Sequence, residues 1–123
     1  MSIIHKFSGD ANFFQWENVL QETPAMEGLY KITKQILVGG KEGAPHFSMR
    51  YFRLEGGGHT KLEQHIHEHG IIILHGRGNV QIGENIHELG PFDSVYISGN
   101  KLHQFTNPYK ESFGFICVIP IVE

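Results

Sequence analysis

The sequence predicts an all-β domain, a sandwich or barrel of short strands. From Lys31 onward the chain is a succession of short β-type runs, each closed by glycine or polar residues, which is the spacing of sandwiches and barrels. Fifteen glycines and five prolines among 123 residues leave little uninterrupted space for helices. No stretch of about 15 residues keeps a 3.6-residue apolar period with capping residues at its ends, so a parallel sheet with crossover helices is not expected.

Residues 1–30 read differently from the rest. Phe13, Phe14, Trp16, Val19 and Leu20 are scattered over polar sequence, and Thr23-Pro24 marks a break. This stretch is read as an N-terminal arm, with a helical turn around residues 13–20, packing on the main body or on a partner. Residues 31–123 are read as the barrel domain. Its β-type runs are KITKQILV (31–38), HFSMRYFRLE (46–55), HTKLEQHIH (59–67), GIIILHG (70–76), NVQIG (79–83), SVYIS (94–98), LHQFTN (102–107) and SFGFICVIPIV (112–122). Punctuation comes from Gly39-Gly40, Gly56-Gly57-Gly58, Gly76-Arg77-Gly78, Gly83-Glu84-Asn85, Gly90-Pro91 and Asn107-Pro108.

Composition narrows the function classes. With 40% hydrophobic and 19% charged residues the chain can bury a core and stay soluble. Its net charge of −3 and lack of a basic block give no reason to expect a nucleic-acid partner. A single cysteine, Cys117, excludes a disulfide framework and fits a reducing compartment. No run reaches about 18 apolar residues, and MSIIHKFSGDANFF lacks the apolar stretch of a secretion signal. A cytoplasmic protein without membrane association is the expectation.

The chain carries nine histidines. Residues i, i+2 and i+4 of a strand share a face, so LEQHIHEHG puts Glu63, His65, His67 and His69 on one side and Gln64, Ile66 and Glu68 on the other. Facing a barrel interior, such a row is costly unless something satisfies it. A divalent metal would, because neutral imidazole and carboxylate are ligands of first-row metals. The same alternation also fits a solvated edge strand.

Around this run the chain resembles the cupin family of small β-barrels. The family's first motif runs Gly, five residues, His-x-His, three or four residues, Glu, six residues, Gly; anchored on Gly57 and Gly76 it fits here without a gap. Glu63 then stands at the first His position, His65 at the second, and His69 where the family has Glu. A rival frame takes His65-x-His67 as the pair, and meets Ile71 or Ile72 at the Glu position unless two residues are deleted. The second motif ends in His103 and Asn107, and Asp93 matches the Asp that usually follows its first glycine. Phe92, Ser98 and Asn100 replace that motif's Gly, Pro and Gly. GAPHFSMRYF and FGFICVIP also look like a subgroup of small single-domain cupins, so the resemblance covers about residues 35–120.

The resemblance implies a jelly-roll barrel, the double-stranded β-helix of cupin type. It also implies a metal held by Glu63, His65, His69 and His103, with His67 as alternative ligand or pocket residue. Three imidazoles, one carboxylate and open positions suit Fe, Mn, Ni or Zn. The net charge of such a centre, near +1, favours an anionic or enolisable oxygen ligand. Cys117 is either a small buried apolar residue or, as the subgroup resemblance implies, a sulfur inside the barrel near the metal. Small cupins are commonly dimeric, and a homodimer with exchanged N-terminal strands would cover the open strand edges.

The remaining candidates read more plainly. His5, His46, His59, His75 and His87 are taken as surface or structural residues. Arg50 and Arg53 are taken as solvated rim charges; an Arg turned inward would instead offer a forked hydrogen bond to a substrate carboxylate. Gln104 and Asn107 orient His103 or fix a turn, and Gly76-Arg77-Gly78 is a strand turn, since no helix follows it. Cupins host dioxygenases, isomerases, epimerases, lyases and plain binding proteins. One reading is therefore a metal-dependent enzyme, dioxygenase-like or isomerase-like, on a small oxygenated and anionic substrate, with His67 as acid or base. The other is a non-catalytic barrel that senses or stores a metal or small ligand. A purely structural barrel would make the spacing match accidental.

Overall fold

A computed structural model describes residues 2–121, and among them nine strands and a single 3-10 turn at Gly40–Glu42 make up the regular structure. The strands are β1 (Gln21–Glu22), β2 (Tyr30–Val38), β3 (Phe47–His59), β4 (His69–His75), β5 (Gly78–Ile82), β6 (Asn85–Leu89), β7 (Ser94–Ile97), β8 (His103–Thr106) and β9 (Phe113–Pro120). They hydrogen-bond in the order β6-β5-β8-β3-β9-β4-β7, with β2 also on β3 and β1 on β2, and every pairing is antiparallel. The sheet curls into the jelly-roll barrel. No helix of the described residues is long and apolar enough to cross a membrane.

Alternation along the central strands divides inside from outside. On β3, Phe52 and Leu54 face inward; the register pairs Leu54 with Phe113, Phe52 with Phe115 and Arg50 with Cys117. On the other side of β9, Ile73 pairs with Phe115 and Ile71 with Cys117. The inner face therefore carries an apolar layer of Leu54, Ile73, Phe113 and Phe115, each no more than 2% exposed, and one row further along Arg50, Cys117 and Ile71. Phe105 of β8 stacks on Phe115 at 4.6 Å and joins the two halves of the barrel.

The outer face of β3 carries Tyr51, which the N-terminal residues bury. Phe14 stacks on its ring at 5.6 Å, Trp16 leans against it at 5.2 Å, and the His75 ring nitrogen bonds its hydroxyl. Gln35 donates to the Phe14 carbonyl at 2.8 Å, anchoring the backbone of this cover to β2. Gly114 leaves the room His75 needs, since a Cβ there would lie 2.0 Å from the imidazole Nε2.

Several sequence expectations change. Residues 13–20 form no helical turn. Bridges Phe7↔Trp16 and Asp10↔Phe13 fold this stretch as an irregular hairpin, with the Asp10 carboxylate accepting from the Asn12 and Phe13 amides. Clustering Phe7, Phe14 and Trp16 edge-on requires that extended path. Gly56-Gly57-Gly58 does not end a strand: β3 runs through it to His59, close against backbone carbonyls of Tyr30, Lys31 and Tyr109 that a Cβ would strike. Beyond His59 the expected strand 59–67 breaks up, and residues 60–65 follow β8 and the turn before it through a few backbone hydrogen bonds. Strand β6 was not foreseen; exposed from Asn85 to Glu88, it offers no apolar face to read.

The motif turns keep their backbone even where the glycine is gone. Gly57 and Gly76 sit at φ +84° and +74°, and Phe92 and Asn100, which replace glycines of the second motif, sit at +71° and +63°. The left-handed region costs a residue with a Cβ roughly 1–2 kcal/mol, less for Asn, while glycine's larger chain entropy returns part of that. Phe92→Gly should therefore raise stability by about 0.5–1 kcal/mol and Asn100→Gly change it by less than about 0.5 kcal/mol, read from urea midpoints at unchanged slope. A loss of stability in Phe92→Gly would show that the ring contributes more than the turn costs.

Burial holds the His75 imidazole below its ordinary value, and the Arg53 charge adds to this. The unfolded chain takes up the proton first, near about pH 6.5. The stability that neutral His75 contributes is thus complete above that pH and is lost as pH falls below it. His75→Gln keeps a partner for the Tyr51 hydroxyl and removes the titration. Its urea midpoint should fall less than that of the wild type between about pH 7.5 and about pH 5.5; equal falls would place the titration elsewhere.

Candidate metal centre

The centre is assembled from two segments about 40 residues apart in the chain. Glu63 and His103 exchange backbone hydrogen bonds at 3.1 and 2.9 Å, the Asn100 amide donates to the His65 carbonyl at 2.6 Å, and the Thr60 amide to the Phe105 carbonyl at 2.9 Å. These bonds hold residues 60–65 extended beside β8. Burial alternates as a strand's would: Glu63, His65 and His67 are half-buried and His69 buried, while Leu62, Gln64, Ile66 and Glu68 are exposed. The face expected from the sequence is present, although the segment carrying it is no regular strand.

His65, His69 and His103 each offer a ring nitrogen, all within 4.8 Å of one another. His65 Nε2 lies 3.1 Å from His69 Nε2 and 3.4 Å from a Glu63 carboxylate oxygen. The Lys101 carbonyl fixes His103, accepting from Nδ1 at 2.8 Å and turning the other nitrogen to the cluster. His69 Nδ1 meets the Cys117 sulfur at 3.2 Å. Burial, then the neighbouring His103 and His65, push the His69 pKa down to about 3, so its ring is in the neutral, ligating form at neutral pH. Two imidazole nitrogens 3.1 Å apart share one proton at most, whereas a cation between them satisfies both. That spacing is close to what two neighbouring ligands at about 2.1 Å from one metal subtend. The donor set therefore fits a divalent first-row metal.

Beside the cluster opens a cavity of about 250 Å³. Glu63, His65, His67, His69, His103 and Cys117 all line it. His67 stands outside the triad, its ring edge-on to His65 at 5.2 Å between centroids. Cys117 is buried, and burial raises its thiol pKa, with Arg50 opposing. The other histidines lie elsewhere: His5 bonds Glu42 and the Glu17 carbonyl, His59 stacks near Tyr30, His75 holds Tyr51, and His46 and His87 are exposed. Asn107 fixes a turn, donating to the Leu54 and Glu111 carbonyls, and Gln104 ties β8 to Thr60.

Arg50 is the main correction at the site. It is no rim charge but points into the cavity, its Nη2 donating to Cys117 at 3.3 Å and its guanidinium 4.9 Å from the Phe52 ring centroid. The sequence held the signal, because Arg50 shares its strand face with Phe52 and Leu54, too apolar to face water. Arg53, on the opposite face, pairs with Glu55 and meets the Phe13 ring. Lys34, Lys61, and Pro24, Met26 and Leu29 ahead of β2 also line the cavity and were not foreseen. Lys34 was legible only through register, since it lies opposite Phe52 on the inward face of β2.

An antiparallel jelly-roll barrel with a histidine-rich centre opening on a small cavity defines a double-stranded β-helix of the kind that hosts metal sites. The comparison with known families gives the particular one: the cupin domain matches residues 50–119, and the chain belongs to the cupin family. It is 40% identical over 88 residues to 1-methylthio-D-xylulose 5-phosphate methylsulfurylase of Rhodospirillum rubrum, covering 72% of this chain and 55% of that protein. The chain thus spans about half the length of this relative. Among solved structures, it superposes on a cupin-2 domain protein of Rhodospirillum rubrum with a TM-score of 0.79 and 34% identity, covering 90% of this chain and 75% of that one. The polyketide cyclase RemF of Streptomyces resistomycificus gives 0.79 and 25%, covering 84% and 74%.

The two ligand frames make different demands. With Glu63, His65, His69 and His103 as ligands, Glu63→Ala should lower bound metal by about tenfold or more at limiting metal, and His67→Ala by less than about threefold. Elemental analysis of both variants after dialysis decides. Full metal retention in Glu63→Ala with loss in His67→Ala would establish the rival frame.

Proposed function

We propose that this cupin is a metal-dependent enzyme acting on a small, oxygenated, anionic substrate. The convergence of His65, His69, His103 and Glu63 on a cavity that also holds an inward-turned Arg50 carries the reading. Fe, Mn, Ni or Zn suits these ligands. Bound there, the metal would act as a Lewis acid on a substrate carbonyl or hydroxyl oxygen, or, if redox-active, in oxygen chemistry. The protein supplies the rest. Phe52, Phe105 and Phe115 give the cavity an apolar wall that limits water. Arg50 orients an anionic group by hydrogen bonds. His67, in the cavity but outside the triad, moves the proton at the carbon next to the bound oxygen.

A second reading, sulfur-group transfer, rests on Cys117. Its sulfur lines the same cavity against a ligand imidazole, and the Rhodospirillum rubrum relative is named as a methylsulfurylase. A non-catalytic sensor or storage barrel would instead have a coordination sphere closed to small anions. We also propose a homodimer, in which a second copy covers Ile72 and Tyr96, 40% and 64% exposed on the outer face of β4 and β7.

The test uses protein purified untagged and without chelator. Near-stoichiometric metal that disappears in the His65→Ala/His103→Ala double variant, with a metal spectrum perturbed by oxalate or azide, is the expected result. Metal absent from the wild type even after addition of Fe, Mn, Ni and Zn would overturn the metal reading. Inertness to both anions would favour the sensor. In the sulfur-transfer reading the Cys117 thiolate would attack the methylthio sulfur, releasing an enolate that takes up a proton and leaving a methyl disulfide that an added thiol reduces. Incubation with 1-methylthio-D-xylulose 5-phosphate and a small thiol, followed by proton and phosphorus NMR, separates the two catalytic readings. Turnover lost in Cys117→Ser establishes sulfur-group transfer, and no turnover leaves proton transfer or oxygenation. Sedimentation of the wild type and Tyr96→Glu tests the dimer.

A further inference from the structure

We infer that Lys34 and Arg50 form an anion subsite on the β2–β3 wall of the cavity, specific for a phosphate group of the substrate. The assignment rests on the reading of the site given above and names the half of the substrate that the metal ligands do not address. Three observations carry it.

The first is an unused buried donor. Arg50 Nε is shielded from solvent and has no hydrogen-bond partner, while Nη2 is engaged only with the Cys117 sulfur, a weak acceptor. Leaving a buried charged donor unsatisfied is expensive, and an oxyanion arriving in the cavity removes that cost. The second is the absence of counter-charge. Ion pairs among the described residues involving Arg or Lys use Arg53 and Arg77; Arg50 makes none, and Glu22, opposite Lys34 on β1, neither pairs with it nor lines the cavity. The third is placement. Lys34 is opposite Phe52 on β2, Arg50 lies two residues before Phe52 on β3, and both line the cavity. Such diagonal neighbours on one sheet face are within mutual reach of long side chains. One sulfur atom separates the guanidinium from the His69 ring, at 3.3 and 3.2 Å, so a short molecule can engage both the subsite and the ligand cluster.

A planar fork beside a flexible point charge suits a phosphate monoester better than a lone carboxylate. The fork takes two oxygens, the ammonium reaches a third, and two cations match a dianion. The cavity's one charged carboxylate, Glu63, belongs to the ligand cluster and leaves this wall positive in a chain whose net charge is −3.

Calorimetric titration with inorganic phosphate tests the subsite on protein as purified and after chelator treatment. The wild type should bind phosphate in both forms. Lys34→Gln and Arg50→Gln should each weaken it by about tenfold or more with metal content unchanged, and Arg50→Lys by an intermediate amount. Lys110→Gln, the same charge change at an exposed site, should leave it within about twofold. Lys34 is half-buried on a strand and its variant is expected to keep the fold, checked by circular dichroism, so the result does not hang on Arg50→Gln folding. Phosphate binding unchanged in Lys34→Gln, or present only in the metal-loaded form, would overturn the subsite and leave the metal centre standing. Loss of metal with phosphate binding intact would do the reverse. Competition with malonate, another dianion, should need about tenfold more ligand than phosphate; equal displacement would overturn the phosphate assignment.

Discussion

Two backbone hydrogen bonds, exchanged between Glu63 and His103, hold the site together. Residues 60–68 have left the regular sheet, and nothing in their local geometry would aim three polar side chains at one point. Pairing Glu63 with a residue of β8 fixes the phase of the segment, and alternation then turns Glu63, His65 and His67 to the cavity. The same contact brings His103 in from the second motif. A slip of one residue would send Gln64, Ile66 and Glu68 inward instead, so this bridge, with the Thr60–Phe105 and Asn100–His65 bonds on either side of it, sets which side chains reach the centre.

Electrostatics then divides the cavity into two kinds of surface. Around the triad, burial keeps His69 neutral and Glu63 supplies the negative charge. Along β2 and β3 the charges that line the cavity, Lys34 and Arg50, are positive. Both lie on the rim of an apolar core in which Phe105 and Phe115 stack, so neither is well screened by water. A ligand with an uncharged oxygen function at one end and an anion at the other is complementary to that division. The thiol of Cys117 stands at the boundary, in contact with both.

Much of this was legible from residue order alone. Period-two alternation and glycine spacing gave the all-β class and most strands, and spacing from Gly57 to Gly76 singled out Glu63, His65 and His69. The misses have physical reasons. A helical turn was expected around residues 13–20 because nothing in sequence showed Tyr51 waiting on the outer sheet face for Phe14 and Trp16. Three successive glycines looked like a loop, although close backbone carbonyls from Tyr109 and β2 exclude side chains at Gly56 and Gly58, and Gly57 between them has a positive φ. Arg50 was assigned to solvent on the general habit of arginines, against the evidence of its own strand face. Lys34 needed the β2–β3 register, which no local pattern encodes.

The cavity's rim has a different provenance from its centre. Glu63, His65, His69, His103, Arg50 and Cys117 all fall inside residues 50–119, the stretch shared with the family, whereas Pro24, Met26 and Leu29, which line the same cavity, lie outside it. Entrance and centre thus lie in separate parts of the chain. Related barrels can keep one centre and exchange what reaches it by changing a few residues ahead of β2. A family match over residues 50–119 speaks for the residues of the centre and is silent on those at its entrance.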